Sequence, residues 1–215
     1  MPELLHSAWR GHAPFAQWLV REMRPTTIVE LGVDYGFSCM TFAEVGLGTV
    51  YGIDSFEGDP EAGLKDTYDD VVALQNRLGI TNLELIRGYF SEVAKTWEKP
   101  IDILHIDGRH RYEDVKEDYG IWSEFVKDSG VVLMHDTCVL DEPFGVHRFF
   151  AEIDLPKTNF THSHGLGVVS KDAELIRRIR SKQAIWLVSQ PWGYQLQRAG
   201  RKIRRMVMGS PGPRY

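Results

Sequence analysis

Short runs of apolar residues alternate along this chain with longer stretches in which apolar residues recur at helical spacing. The short runs are continuous and rich in β-branched residues, which is typical of strands covered on both faces. The pattern predicts a doubly wound, Rossmann-like α/β fold, with a mostly parallel sheet, helices on both faces and late antiparallel strands. The predicted strands are 27–31, 49–53, 83–87, 101–106 and 130–135, and the predicted helices between them are 37–46, 68–78, 91–97 and 112–127.

Three further segments lie outside this core pattern. Residues 15–23 have helical apolar spacing and end before Pro25, residues 145–153 predict another helix, and residues 160–169 predict late strands with a glycine-rich bend. The polar loop 57–70 is long enough to predict a lid over a binding site.

A glycine-rich turn follows the first predicted strand and opens a helix, from Glu30 to Ser38. Gly32 and Gly36 allow a tight turn and a close approach of ligand to backbone. The Glu30 carboxylate would repel a pyrophosphate but suits a positive amino group, which favours S-adenosylmethionine (SAM) over NAD or ATP. Asp54 closes the second predicted strand, where an acid can accept hydrogen bonds from ribose hydroxyls. The alternative for Asp54 is a helix cap or loop acid.

Two acids close neighbouring predicted strands, Asp107 after the fourth and Asp136 after the fifth. Adjacent strand ends lie about 5 Å apart, so the two carboxylates would repel unless a proton or cation lay between them. A divalent cation there would lower the pKa of a bound hydroxyl. His110, three residues after Asp107, is the predicted general base. The alternative is that the acids cap helices and His110 lies on the surface.

Four other histidines lie near these strand ends. His135 precedes Asp136, and either completes the metal shell or donates a hydrogen bond that orients a carboxylate. Magnesium is the predicted ion, whereas a His135 ligand would favour manganese, iron or zinc. His162 and His164 are predicted to belong to a structural turn or a substrate rim, and His105 to the core.

The composition is that of a soluble single domain, with 43% hydrophobic and 26% charged residues among 215. No run of about 18 apolar residues predicts a membrane span, and the first residues do not resemble a signal peptide. Cys39 and Cys138 lie far apart and predict thiols of a reducing compartment. We therefore expect a cytoplasmic protein.

The net charge of −5 conceals an asymmetry. Residues 171–215 hold 11 Lys and Arg against two acids (+9), and the rest of the chain holds 14 against 28 (−14). This predicts a domain over 1–170 and a basic helical extension over 171–215. The extension either packs on the acidic body or a second subunit, or binds an anionic membrane surface. Nucleic acid is disfavoured, because no aromatic-interleaved basic groove is evident.

Several motifs carry a family resemblance when they are read together. They are Glu30-x-Gly32-x-x-x-Gly36-x-Ser38, Tyr51-Gly-Ile-Asp54, His105-Ile-Asp107-Gly-Arg-His110, Gly130-Val-Val-Leu-Met-His135-Asp136-Thr137, Phe144-Gly-Val146 and His164-Gly-Leu-Gly-Val168. Over roughly residues 12–170 the chain resembles class I methyltransferases of the macrocin O-methyltransferase and cephalosporin-hydroxylase-like group. Members associated with polysaccharide or O-antigen biosynthesis are especially similar.

The resemblance implies a SAM-dependent, metal-assisted O-methyltransferase acting on a sugar hydroxyl of a glycan, glycolipid or glycosylated natural product. Asp107, Asp136 and His110 match the metal-binding acids and the base of macrolide-sugar relatives, whereas His135 stands where better-known members have an acid. Adenine is expected near 88–90. The residues predicted to bind the cofactor are Glu30, Gly32, Gly36, Ser38, Asp54, Ser55, Gly88, Tyr89 and Asp107.

Two other functions are compatible with the same residues. One keeps the fold and the metal but takes a phenolic or catechol-like acceptor in an apolar slot. The other is a non-catalytic SAM-binding or scaffolding module that docks through its basic extension. The sequence leaves open whether the chain forms a homo-oligomer.

Overall fold

The computed structural model describes residues 7–59, 63–141 and 143–188. The strands are β1 (Thr27–Leu31), β2 (Thr49–Asp54), β3 (Gly58–Asp59), β4 (Gly63–Leu64), β5 (Leu83–Arg87), β6 (Ile101–Ile106), β7 (Val126–His135), β8 (Lys157–Phe160) and β9 (Leu166–Val169). The helices are α1 (Ala13–Met23), α2 (Phe37–Ala43), α3 (Tyr68–Leu78), α4 (Phe90–Ala94), α5 (Tyr112–Trp122), α6 (Val146–Glu152) and α7 (Ala173–Val188), with 3₁₀ turns at Ala8–His12 and Ser123–Phe125.

Seven strands form one sheet in the order β5-β2-β1-β6-β7-β9-β8. The first five are parallel to their neighbours, whereas β9 pairs antiparallel with both β7 and β8. The two short strands β3 and β4 form a separate antiparallel hairpin. The prediction of a Rossmann-like, mostly parallel sheet with late antiparallel strands is confirmed.

Successive residues of the central strands enter apolar layers on opposite faces of the sheet. In β1, Ile28 belongs to the layer that contains Phe15 of α1, while Val29 belongs to the layer that contains Trp122 of α5. All five residues of β1 are buried. Burial of each large apolar side chain contributes about 1.5–3 kcal/mol, so this two-sided packing explains why the strands are continuously apolar.

The predicted helix 112–127 is too long at its C-terminal end, because β7 begins at Val126. Val126 pairs with Ile101 of β6. Lys127 then donates to Asp102 across 2.6 Å, through its Nζ and the Oδ1 atom. These partners are about 25 residues away in the chain, so helical spacing could not reveal that strand pairing replaces the helix here.

The basic extension is described only as far as residue 188. Its first turns pack on the body, because Leu175, Ile176 and Ile179 of α7 are buried in the same apolar layer as α1. Residues 189–215, which carry the second half of the predicted basic extension, lie outside the described residues. Within the described ranges, no helix is both long and apolar enough to cross a membrane.

Candidate active site

A cleft of about 920 Å³ lies where the parallel strands end. Ligands of doubly wound sheets bind at this edge. The predicted site residues that line the cleft are Gly32, Ser38, Asp54, Ser55, Gly88, Tyr89, Asp107, His110, His135 and Asp136. Glu30 and Gly36 are not among the lining residues.

The turn after β1 requires glycine at position 32. Gly32 has φ +92°, and a Cβ built there would lie 2.2 Å from the carbonyl oxygen of Asp107. Its amide donates to the carbonyl of Ile53 at 2.9 Å. The missing side chain therefore lets the ends of β1 and β6 meet on the cleft floor.

Gly36 caps α2 instead of lining the cleft. It has φ +79°, and its amide donates to the carbonyl of Val33 at 2.7 Å. The glycine thus closes the turn and directs the first turn of α2 toward the cleft.

Asp54 ties this turn to the end of β2. Its Oδ2 accepts the amides of Val33 and Asp34 at 2.7 and 3.2 Å, and its Oδ1 accepts the amide of Phe56 at 2.8 Å. The carboxylate that is predicted to bind ribose therefore also holds the backbone of two loops, a role that the sequence did not indicate.

Glu30 lies beneath the cleft and is completely buried. The Ser38 hydroxyl donates to its Oε1. His105 Nδ1 lies 3.2 Å from the same oxygen, and His105 Nε2 accepts the indole N–H of Trp9 at 3.0 Å. Glu30 therefore reaches the cleft through Ser38, and His105 occupies the expected core position.

The adenine end predicted at 88–90 faces the segment that follows β2. The Gly88 amide donates to the carbonyl of Asp54 at 2.8 Å, and the Tyr89 hydroxyl donates to Glu57 at 3.1 Å. Leu64 of the hairpin lines the cleft and is 78% exposed. Residues 60–62 of the predicted lid lie outside the described ranges.

Asp107, His110 and Asp136 converge at the far end of the cleft. Among the described residues, they form a group whose ligand atoms all lie within 4.8 Å of one another. His110 Nδ1 lies 3.5 Å from Asp136 Oδ2, and the His110 ring stacks on Phe144 with centroids 4.6 Å apart. The expected convergence of the two strand-end acids is present, together with the histidine three residues after the first.

His135 reaches the same point from the end of β7. Its Nδ1 lies 3.1 Å from Asp107 Oδ1 and 3.4 Å from Asp136 Oδ2, and its Nε2 donates to the carbonyl of Ser163 at 3.0 Å. Asp136 has φ +61°, a left-handed conformation that interrupts strand alternation. His135 and Asp136 therefore both contact this site.

In the cluster of Asp107, His135 and Asp136, the opposite charges shift the pKa values more than burial does. Burial alone would lower the pKa of His135, but the carboxylates of Asp107 and Asp136 raise it well above its usual value. Burial alone would raise the pKa values of both aspartates, but His135 holds both values low. Without a bound ion, an imidazolium separates the two carboxylates.

The donor set fits a divalent cation. Two carboxylates and the His110 imidazole converge there, and Asp136 Oδ1 is a buried oxygen without a hydrogen-bond partner among the described residues. Asp107, Asp136 and His110 would hold the ion. His135 has an N–H on a backbone carbonyl and a second nitrogen facing the carboxylates, which is the usual arrangement of a metal-bound histidine.

His164 and Asp118 lie closer to the site than the sequence predicted. His164 Nδ1 lies 3.3 Å from Asp136 Oδ1, although 28 residues separate them in the chain. Asp118 lines the cleft on α5, and burial together with Asp114 and Glu117 raises its pKa to about 7. In the sequence, Asp118 is one of several acids of α5 and carries no separate signal, and His164 was predicted only as part of a structural turn or a substrate rim.

The comparisons with known proteins agree with this fold. A family model described as a methyltransferase domain matches residues 29–137, which are 109 of the 215 residues. The match includes the glycine turn and both strand-end acids. The fold and site define a methyltransferase domain, and the chain belongs to this family; the predicted methyltransferase class is confirmed.

One curated relative is the uncharacterized protein y4gI of Sinorhizobium fredii (strain NBRC 101917 / NGR234). It is 41% identical over 174 residues, which cover 76% of this chain. The matched region covers 19% of that protein, so the chain spans about a fifth of the length of this relative.

Solved structures share the fold at low sequence identity. A putative caffeoyl-CoA O-methyltransferase from Staphylococcus aureus has a TM-score of 0.58 at 16% identity, covering 73% of this chain and 80% of its own. The O-methyltransferase from Bacillus cereus, in complex with SAH, has a TM-score of 0.58 at 19% identity, covering 74% and 80%. TomG from Streptomyces achromogenes, in complex with SAM, has a TM-score of 0.55 at 16% identity, covering 78% and 90%.

Proposed function

We propose that this chain is a SAM-dependent O-methyltransferase that uses a divalent metal ion. The observation that carries the proposal is one continuous cleft in which the glycine turn at Gly32 meets Asp107, Asp136 and His110. The turn suits a cofactor held against backbone, and the acid–histidine group suits the activation of a hydroxyl. The SAM- and SAH-bound structures that share this fold support the choice of cofactor.

In this proposal, the glycine turn and the Ser38–Glu30 pair hold the methionine end of SAM, and Asp54 faces the ribose. Ser55, Gly88 and Tyr89 would line the adenosine end. The residues of this set that lie on the cleft wall are Gly32, Ser38, Asp54, Ser55, Gly88 and Tyr89, which supports the assignment. The cleft would also exclude water from the reacting atoms, and positioning would supply much of the rate.

A metal ion held by Asp107, Asp136 and His110 or His135 would lower the pKa of the acceptor hydroxyl. The methyl group then transfers in one direct displacement from sulfur to oxygen. The sequence predicts that His110 takes the hydroxyl proton, although the structure also groups His110 with the ligand atoms. Magnesium is the proposed ion, with manganese, iron or zinc as the alternatives because imidazole nitrogen atoms surround the site.

We propose a sugar hydroxyl of a glycan or glycosylated molecule as the acceptor. Supporting this are the motif resemblance and the polar groups that line the cleft. There Lys65 contacts Asp34 at 2.6 Å and lies over the Tyr35 ring at 4.3 Å. A phenolic acceptor is the second candidate, and the observation that favours it is the exposed Leu64 on the cleft wall.

The test is calorimetric titration of SAM into the full chain, first with EDTA and then with magnesium or manganese. Transfer of labelled methyl groups from SAM to methyl glycosides, to catechol and to water is measured in parallel. We expect micromolar SAM binding and metal-dependent transfer that prefers glycosides. A chain that binds SAM but transfers no methyl group under any metal condition would support the non-catalytic scaffold, and absence of SAM binding would overturn the proposal.

Asp107→Asn is the matched variant for the metal site. It keeps the size of the side chain but removes a charge from the group of three. We expect metal-dependent transfer to be lost while SAM binding stays within about tenfold of wild type. An unchanged response to metal would refute this metal site.

A further inference from the structure

Four buried polar side chains from distant parts of the chain meet beneath the glycine turn. Glu30 of β1 and His105 of β6 are paired in the register of the sheet. Ser38 lies in the first turn of α2, and Trp9 lies in the 3₁₀ turn that precedes α1. All four are buried. Because Trp9 and Ser38 also line the cleft, the group lies between the sheet and the proposed cofactor site.

The Trp9 indole fixes the tautomer of His105. Its N–H donates to His105 Nε2 at 3.0 Å, and an indole nitrogen can only donate. The ring hydrogen of His105 therefore lies on Nδ1, which is 3.2 Å from Glu30 Oε1. The two groups are not aligned as a hydrogen bond, so the contact is the electrostatic attraction of an N–H dipole for a carboxylate.

Trp9 is itself held in place from two sides. Its ring packs edge-on against the rings of Phe42 and His105, with centroids 5.5 and 5.2 Å apart. The turn that carries it is anchored to the late part of the chain, since the carbonyl of Gly11 accepts the Nε2–H of His162 at 3.0 Å. These contacts keep the indole N–H directed at His105.

Glu30 is a buried carboxylate whose polar neighbours carry no permanent positive charge. In the described part of the chain these neighbours are Ser38, Cys39 and His105. Burial and the Glu30 carboxylate raise the pKa of the Cys39 thiol well above its usual value, so the thiol is neutral. Glu30 Oε2 has no hydrogen-bond partner among the described residues. A buried charge in this state is costly, and a cationic group in the cleft would offset that cost.

The direction of the Ser38 hydrogen bond determines which ligand group the cleft can receive there. The hydroxyl donates its only hydrogen to Glu30 Oε1, so its lone pairs are the part that remains for a ligand. A positively charged amino group can donate to these lone pairs. A carboxylate has no hydrogen to donate and is repelled by Glu30.

We propose that Trp9 and His105 are positioning residues for the amino group of the SAM methionine. They hold the Glu30 carboxylate in place, Glu30 orients the Ser38 hydroxyl, and Ser38 accepts a hydrogen bond from the amino group. The inference rests on the proposed function, which places SAM in this cleft. It gives the buried His105 a role beyond packing.

Three adenosine thioethers test the proposal by calorimetric titration into the full chain in EDTA. SAH carries both the amino and the carboxylate group, the aminopropyl thioether of 5′-deoxyadenosine carries the amino group alone, and methylthioadenosine carries neither. The proteins are wild type, Trp9→Phe, His105→Gln and Trp122→Phe. Trp122 is the matched control, because its ring is fully buried on the opposite face of the sheet and its indole N–H has no hydrogen-bond partner among the described residues.

We expect Trp9→Phe to bind SAH and the aminopropyl ligand about five- to tenfold more weakly than wild type, and methylthioadenosine within about twofold. His105→Gln should show the same selective loss, because it removes the nitrogen that faces Glu30. Trp122→Phe should keep the wild-type ratio of the three affinities. Methylthioadenosine reports general damage to the cleft, since a packing defect would weaken all three ligands together.

Ser38→Ala tests whether Trp9 acts through Ser38. With the hydroxyl removed, adding Trp9→Phe should change SAH affinity by no more than about twofold, because coupled residues do not contribute additively. The proposal is overturned if the two losses add, if Trp9→Phe weakens all three ligands equally, or if only SAH is affected.

The wild type separates this inference from the function on which it rests. Wild type that binds no SAH contradicts the proposed function and the inference together. Wild type that binds SAH, while Trp9→Phe binds it with the same affinity, contradicts the positioning role alone.

Discussion

His135 Nδ1 lies 3.1 Å from Asp107 Oδ1, while the opposite nitrogen of the same ring donates to a backbone carbonyl. This contact lets a buried histidine separate two carboxylates that would otherwise repel each other. The Nε2–H of His135 is fixed by its hydrogen bond to the carbonyl. The Nδ1 atom, which faces the aspartates, can therefore carry either a proton or a metal ion. The stability of the metal-free protein should therefore depend on the protonation of His135.

The first prediction concerns the pH dependence of the metal-free protein. The folded state raises the pKa of His135 above its unfolded value of about 6.5. Its stabilising contribution is therefore fully present below about pH 6.5 and is lost as pH rises through the folded pKa. We expect the Tm of EDTA-treated wild type to fall as the pH rises above about 6.5, and to fall less steeply in His135→Gln. Parallel slopes for both proteins would contradict the role of His135.

Substitution of Asp118 should stabilise the protein. Its folded pKa of about 7 exceeds the usual value for Asp, so the folded state binds more protons, and stability decreases as pH rises from about 4 to 7. Asp118→Asn removes the cost of ionising this group. We expect it to stabilise the protein by about 1–2 kcal/mol at pH 8 and by less at pH 5, measured by urea unfolding.

Glu113→Gln is the control for Asp118, because Glu113 is an exposed carboxylate in the first turn of the same helix. Its effect should stay below about 0.5 kcal/mol at both pH values. A gain for Asp118→Asn that did not depend on pH would refute the ionisation cost as its cause.

Gly32→Ala tests the close approach of β1 and β6. A Cβ at position 32 would lie 2.2 Å from the Asp107 carbonyl, at φ +92°, so the strand ends would have to separate. We expect a loss of at least about 2 kcal/mol in unfolding free energy and loss of SAM binding. Gly46→Ala is the matched control, since Gly46 has φ +73° with nothing within 4 Å of its Cβ position. Gly46→Ala should cost about 1 kcal/mol and leave SAM binding intact.

Asp54→Asn tests the carboxylate that accepts three backbone amides. The amide side chain keeps one acceptor oxygen but loses the charge and gains a donor that faces backbone N–H groups. We expect a loss of about 2 kcal/mol in stability, and SAM binding at least about tenfold weaker by calorimetry. Asp34→Asn serves as the stability control, because its exposed ion pair with Lys65 contributes about 0–1 kcal/mol. Equal losses in the two variants would contradict the role of Asp54.

Local pattern was sufficient for much of the fold and for the position of the site. The continuous apolar runs of β1 and β6 predicted a doubly covered sheet, and chain order placed Gly32, Asp54 and Asp107 at one edge. These features depend on neighbours in sequence and on the period of a strand, which a single chain displays directly. The methyltransferase class also follows from motifs within this part of the chain.

The features of the fold and site that the sequence did not predict depend on contacts between distant segments. The burial of Glu30, the start of β7 at Val126 and the approach of His164 to Asp136 each depend on partners more than 20 residues away or on the opposite layer. The left-handed backbone at Asp136 also changes which way its side chain points. Sequence spacing determines which residues can reach the edge of the sheet, whereas packing and backbone conformation determine which of them touch, because those depend on the whole fold being assembled.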